Sequence, residues 1–111
     1  MSQPECLFCS LYAEGDHVRK ADGFAAVRDI NPKAPVHLLV IPERHVDTFR
    51  EVGEFGGEEA RRMLEFVAET AREAGLDDYR VIVNVGPGSG QTVFHLHWHI
   101  LGGSAGLAGF E

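Results

Sequence analysis

From Val93 to Gly103 the chain reads "VFHLHWHILGG", and this run constrains the fold more than any other stretch. Histidine occupies every second position, at His95, His97 and His99, with Leu96, Trp98 and Ile100 between and after them. A period of two belongs to extended backbone, where successive side chains point to opposite faces. The run therefore predicts a strand with one apolar face for a core and one imidazole face for chemistry. A single ion held by all three rings fits poorly. The strand rises about 3.3 Å per residue, so the outer two backbones stand about 13 Å apart, whereas a zinc–nitrogen bond spans only about 2 Å. The three roles must divide. A neutral imidazole is a competent nucleophile near pH 7. A second imidazole one pleat away can carry charge and face a phosphoryl oxygen or a leaving group. That pairing suits phosphoryl or nucleotidyl transfer through a covalent phospho-histidine.

If two histidines do the chemistry, His95 is free for another role. Cys6 and Cys9 have the C-x2-C spacing of half a metal site. Two further ligands would come from His17, His37, His45, His95, His97 and His99. Cys6, Cys9, His45 and His95 together would form a closed tetrahedral Cys2His2 zinc site tying the N-terminal segment to the histidine strand. Two other readings stay open for the cysteines: an inert pair, or a thioredoxin-type redox pair, although no strand precedes them as that motif requires.

The rest of the chain predicts an α+β domain spanning residues 1–111, with helices packed on an antiparallel sheet. Leu7–Ala13 reads as a short helix ended by Gly15. "HVRKADGFAAVRDINPKAP" reads as a hairpin turning at "ADG", followed by a proline-bounded loop. "VHLLVIP" reads as a buried strand closed by Pro42. Over Gly57–Ala74 the period changes to that of a helix, with Ala60, Met63, Leu64, Val67, Ala71 and Ala74 on one face and Gly75 as its stop. "YRVIVNV" and "TVFHLHWHIL" are the last two strands, joined through "GPGSGQ", which lacks the Lys-Ser/Thr of a phosphate-binding P-loop.

The formal charge of −7 over 111 residues argues against a nucleic-acid partner, which needs basic patches to displace counterions. It leaves room for one small anion held by backbone N–H groups and histidine. "MSQPEC" lacks the pattern of a signal peptide, and "HLLVIP" is too short to span a bilayer, so the expected setting is cytoplasmic with no membrane partner.

These segments, taken together, resemble the histidine triad (HIT) superfamily. "HLHWHIL" matches its His-φ-His-φ-His-φ-φ pattern, with φ apolar, at every position. "ECLFC", "VRDINPKAPVHLLVIPERH" and "YRVIVNVGPGSGQTVFHLHWHILGG" are similar to the Hint branch, the purine nucleoside phosphoramidases. The resemblance implies a HIT-like fold of about five antiparallel strands with one long and one short helix. It implies that His97 attacks the α-phosphorus of a purine nucleotide, that its other ring nitrogen donates to a backbone carbonyl on the same strand, and that water releases the monophosphate. His99 matches the triad histidine at the phosphate or bridging atom, and Thr92 falls where the family usually has serine. Asn84 and the Gly90–Gln91 region match phosphate-binding positions. Asp29 matches the carboxylate that holds the ribose hydroxyls, where bare sequence would also allow a turn residue. Leu7, Phe8, Leu11 and Ile30 match the wall around the base, and His37 a supporting histidine beside the nucleophile. His17 matches nothing and is expected to be exposed. The resemblance also supports the four-ligand zinc site as structural, and a symmetric homodimer formed through the long helix and strand edges. The C-terminal "GGSAGLAGFE" lacks the family's tryptophan–proline segment, which bears on the choice of leaving group. Alternatives are a Fhit-like dinucleoside polyphosphate hydrolase, a non-catalytic nucleotide- or partner-binding module, and a metal-dependent hydrolase.

Overall fold

Five antiparallel strands form one sheet in the order β1-β2-β3-β5-β4. The structure, a computed structural model, describes residues 6–103; the tail beyond Gly103 and most of "MSQPEC" lie outside them. Helix α1 covers Leu7–Glu14, β1 His17–Ala21, β2 Phe24–Arg28, β3 Val36–Pro42, helix α2 Gly57–Glu73, β4 Tyr79–Ile82 and β5 Trp98–Gly102. This is the expected α+β architecture. Among the described residues no helix is long and apolar enough to cross a membrane.

Local chemistry explains the boundaries. Asp22 and Gly23 both take positive φ, 58° and 89°, the geometry a two-residue hairpin turn needs to match strand twist. Helix α2 starts with Glu58 and Glu59 in its first turn, which oppose the positive end of its dipole. It stops in a Schellman motif: Gly75, at φ 81°, donates to Arg72 O, and Leu76 donates to Ala71 O. Before α2, a 3-10 helix at Phe49–Glu54 is held by a capping box between Thr48 and Glu51. The sequence pattern Thr-x-x-Glu is the signal for it.

The sheet separates two apolar layers. Against α2 lie Phe24, Ala26, Leu38, Val40, Leu96, Trp98 and Ile100, packed on Met63, Phe66, Val67 and Ala71. On the opposite face Phe8 of α1 meets Val27, Leu39 and Ile41. The buried stripe of α2 differs from the periodic reading. Phe66 and Thr70 are buried, whereas Leu64 is 55% exposed and Ala74 also faces solvent. The stripe is rotated toward 66 and 70, so that Phe66 packs against Phe24 at 5.8 Å between ring centroids.

The last two strands are shorter than expected. β4 ends at Ile82, and "TVFHLHWHIL" joins the ladder only from Trp98. The connection thus runs from residue 83 to 97 rather than through "GPGSGQ" alone. β3 sets the limit. Its final ladder pair with β5 is Val40 with Trp98, and Pro42 O accepts from the His95 ring at 2.8 Å instead of from a strand N–H. Leu96 N–H turns to Val46 O, 2.8 Å away. The alternation still governs burial: Leu96, Trp98 and Ile100 enter the core under α2, and the histidines face the other way.

Ile100 is fully buried in the centre of the sheet. Its replacement in Ile100→Ala is expected to destabilise the fold by about 3 kcal/mol, and Ala74→Ser to change it by less than about 0.5 kcal/mol. Urea unfolding of both variants checks the rotated stripe.

Candidate active site and metal-ligand cluster

The histidine face carries two separate clusters. In the first, one donor atom from each of Cys6, Cys9, His45 and His95 lies within 4.8 Å of the others. His95 Nδ1 stands 3.3 Å from Cys6 Sγ and 3.5 Å from Cys9 Sγ, and His45 Nδ1 stands 3.4 Å from Cys9 Sγ. The second nitrogen of each ring is already used. His95 Nε2–H donates to Pro42 O at 2.8 Å, which fixes the tautomer and leaves the Nδ1 lone pair aimed at the sulfurs. His45 Nε2 lies 3.0 Å from Asp47 Oδ1. Cys6 also caps α1, its sulfur accepting from Cys9 N–H at 3.4 Å. Neither cysteine is in a disulfide. These four residues are the set the C-x2-C spacing pointed to, and the structure brings them together.

The second cluster lines a cavity of about 610 Å³ between α1, the loop after β2, the 84–93 segment and β5. His97 forms part of its wall and is 8% exposed. Its Nδ1–H donates to His95 O at 2.8 Å, since a carbonyl can only accept. The Nε2 lone pair is therefore left for reaction. Phe8 meets the ring edge-on at 4.7 Å. Burial lowers the His97 pKa, against the opposing pull of His95 O and Asp29, so the ring is neutral and nucleophilic.

A backbone amide orders the next rings. Lys33 N–H donates to His37 Nδ1 at 3.0 Å, so neutral His37 carries its proton on Nε2. That Nε2–H has His99 Nδ1 at 2.9 Å and Asp29 Oδ2 at 3.3 Å. With His99 Nδ1 accepting, the His99 proton sits on Nε2. The buried His37 is thus a tautomer setter for His99. Burial, with His97 and His37 adding, pushes the His99 pKa down to about 4, and burial also lowers that of His37. Asp29 accepts from Asn31 N–H through Oδ1 at 2.8 Å, so it forms the turn that bare sequence allows, and it also lines the cavity.

Leu7, Phe8, Leu11, Asp29, Ile30, His37, Asn84, Gly90, Thr92, His97 and His99 all line this cavity. Ile30 is 90% exposed at its rim. Gln91 is absent from the wall. It is buried, and its side chain accepts from Gly86 N–H at 2.8 Å and donates to Asp47 O and Val93 O at 2.8 and 3.1 Å. It shapes the glycine loop from behind. His17, expected at the surface, is half-buried and donates through Nε2 to Leu11 O at 2.8 Å. Sequence reasoning missed Arg28, Asn31, Lys33, Ile82 and Val93, which also line the cavity. For Arg28, Asn31, Lys33 and Val93 the available signal was nearness in sequence to Asp29 or Thr92, and for Ile82 nearness to Asn84.

Because folding holds His99 at about 4 against about 6.5 in the unfolded chain, its neutral form favours the native state. That contribution is complete above pH 6.5 and is lost as pH falls toward 4. The urea midpoint is expected to drop between pH 7 and 4.5, and to drop less steeply in His99→Gln. Parallel denaturation curves of the two proteins test this.

The HIT domain family model matches residues 12–106. Protein HitA of Neisseria gonorrhoeae is 38% identical over 101 residues, covering 87% of this chain and 94% of its own. The purine nucleoside phosphoramidase of Escherichia coli is 39% identical over 90 residues, covering 79% and 76%. Among solved structures, a HIT family hydrolase from Clostridium thermocellum superposes with a TM-score of 0.85 at 34% identity, covering 94% of this chain and 95% of that one. A HIT family hydrolase from Legionella pneumophila gives 0.82 at 37% identity, covering 90% and 94%. With its three alternating histidines, its five-stranded sheet and these matches along most of its length, the chain belongs to the HIT family.

Proposed function

We propose that the protein is a nucleotide hydrolase that cleaves purine nucleoside 5′-phosphoramidates to the nucleoside monophosphate and an amine, through a nucleotidyl-His97 intermediate. The observation that carries this is the hydrogen bond from His97 Nδ1–H to His95 O, which leaves a neutral Nε2 lone pair on the cavity wall. The relatives named as a phosphoramidase and as hydrolases support the same class.

In this reading the base lies against Leu7, Phe8, Leu11 and Ile30, and Asp29 takes the ribose hydroxyls. Asn84, the backbone around Gly90, and His99 hold the phosphate, with Gln91 and His37 bracing them from behind. His97 Nε2 attacks the α-phosphorus and the P–N bond breaks. The departing amine leaves on the side of His99 and Thr92. Burial keeps His99 neutral in the free protein, but an anionic phosphate placed against it favours the charged form, so its acid proton arrives with the substrate. The amine takes the His99 proton as it departs; water then attacks phosphorus and gives a proton back to His99, the P–Nε2 bond breaks, and His97 is restored. Release of AMP from adenosine 5′-phosphoramidate is expected, and His97→Ala should lower kcat/KM by at least about 1,000-fold. Diadenosine polyphosphate turned over far faster than the phosphoramidate would move the assignment to the polyphosphate hydrolases. Normal nucleotide binding with every such substrate left intact would make it a binding module.

The Cys6, Cys9, His45, His95 cluster fits zinc. In a tetrahedron with bonds of about 2.0–2.3 Å, neighbouring S and N ligands stand about 3.6 Å apart, close to the 3.3–3.5 Å found between these atoms. The ion's part would be structural, tying α1 to the segment before His97. One zinc per chain is expected by atomic spectroscopy. Cys9→Ser should lose it and melt several degrees lower.

A homodimer formed through α2 and β4 suits the exposed Leu64 and the place of β4 at one end of the strand order, where Val81 is 45% exposed. Leu64→Glu is expected to convert the sedimenting species from dimer toward monomer. The cytoplasm is the compartment that suits two cysteines held as thiols rather than in a disulfide.

A further inference from the structure

We infer that Cys6 and Cys9 are positioning residues of the nucleotide site: held by the metal, they fix Leu7 and Phe8 between them as the wall for the base, so that zinc and the purine base bind cooperatively. This rests on the nucleotide reading above and deepens it.

The C-x2-C pair encloses Leu7 and Phe8, and both line the catalytic cavity. Phe8 is buried on Val27, Leu39 and Ile41 and meets the His97 ring edge-on at 4.7 Å. Leu7 is 57% exposed, so packing alone does not fix it. Both sit in the first turn of α1, which has eight residues. A helix that short is marginal in water and keeps its place through tertiary ties. At its C-terminal end, Leu11 O accepts from His17 Nε2–H at 2.8 Å, and the Lys20 ammonium lies 4.4 Å over the Tyr12 ring. At its N-terminal end the ties run through sulfur. Cys6 Sγ accepts from Cys9 N–H at 3.4 Å, both sulfurs face His95 Nδ1, and Cys9 Sγ also faces His45 Nδ1.

Those sulfur contacts are weak hydrogen bonds while the cysteines are thiols. Bonds of about 2.0–2.3 Å to one ion make them rigid, and Leu7 and Phe8 are then carried on two fixed points. The rest of the protein does not share this dependence. Among the described residues, the buried layer between the sheet and α2 takes no member from α1. Asp29, Asn84 and Gly90 reach the cavity from other segments. Loss of the metal therefore loosens the base wall and spares the ribose and phosphate contacts. The coupling is reciprocal. A base seated on Leu7 and Phe8 holds the two cysteines in place, so each ligand raises the affinity of the other by the same factor.

The test uses AMP and ribose 5-phosphate, of which only the first carries a base. Calorimetry compares the zinc-loaded protein with protein stripped by a chelator. AMP should bind about tenfold more weakly after stripping, and ribose 5-phosphate should change by less than about twofold. Equal weakening of both ligands, or no weakening of AMP, would overturn the inference. Cobalt in place of zinc gives a reading that needs no stripped protein, even where that form unfolds. Its thiolate absorption bands should shift on AMP and stay still on ribose 5-phosphate. Bands unmoved by AMP, or moved alike by both, would contradict the inference, as would a protein that takes up neither metal. A loaded wild type that binds AMP no more tightly than ribose 5-phosphate would remove the base wall and the coupling together. AMP that binds where no phosphoramidate is turned over would sink the proposed reaction alone, and the same measurements would still decide the role of the two cysteines.

Discussion

Everything at the site hangs on His95, the one histidine of the three that is fully buried. Its Nε2–H binds Pro42 O, its Nδ1 faces two sulfurs, and its carbonyl accepts from His97. Each contact belongs to a different part of the chain: the end of β3, the N-terminal helix and the His97 ring on the cavity wall. Desolvation holds its pKa near 4, so these bonds are made by a neutral ring of fixed tautomer. A charged His95 would lose the Nδ1 lone pair and unlock the cluster. A displaced backbone at residue 95 would let the His97 ring turn and bury the wrong nitrogen. The cysteine–histidine cluster and the His97 ring are thus one mechanical unit, joined through the backbone of His95.

A second constraint works from the other side. The loop between β2 and β3 is irregular because Pro32 and Pro35 interrupt it, which leaves the Lys33 N–H free to bind an imidazole rather than a strand. The resulting chain of bonds runs from that amide through His37 to His99. It leaves the proton of the neutral His99 on Nε2, with the ring on the cavity wall. A nucleophile with a free lone pair and a neighbour with a free proton are what a phosphoryl transfer needs, and two backbone groups, His95 O and Lys33 N–H, assign them.

Much of this was legible in the residues. The period-two run divided core from chemistry, and that division survives in the burial of Leu96, Trp98 and Ile100 against the histidines. The C-x2-C pair asked for two more ligands, and of the six candidate histidines the fold brings His45 and His95 to it. The Asp22-Gly23 turn and the Gly75 stop followed from backbone preference. Other features were not legible. Period cannot show where hydrogen bonding ends, so the strand was drawn to Thr92 although the ladder starts at Trp98. Pro42 O is claimed by a side chain distant in sequence, and nothing local records that. The stripe of α2 misplaced Leu64 because a helix with apolar residues on adjacent faces fits two rotations, and only packing on Phe24 selects one. Gln91 lay beside the right glycine, but sequence does not say which way a side chain turns.

The central claim is that His97 becomes covalently nucleotidylated. The direct measurement is intact-mass spectrometry of the wild type, quenched within the first turnovers on adenosine 5′-phosphoramidate and followed by peptide mapping. The account predicts a transient adduct of one AMP per chain on the peptide holding His97, decaying as free AMP appears. AMP released at full rate with no adduct at any time would contradict it and point to direct attack by water.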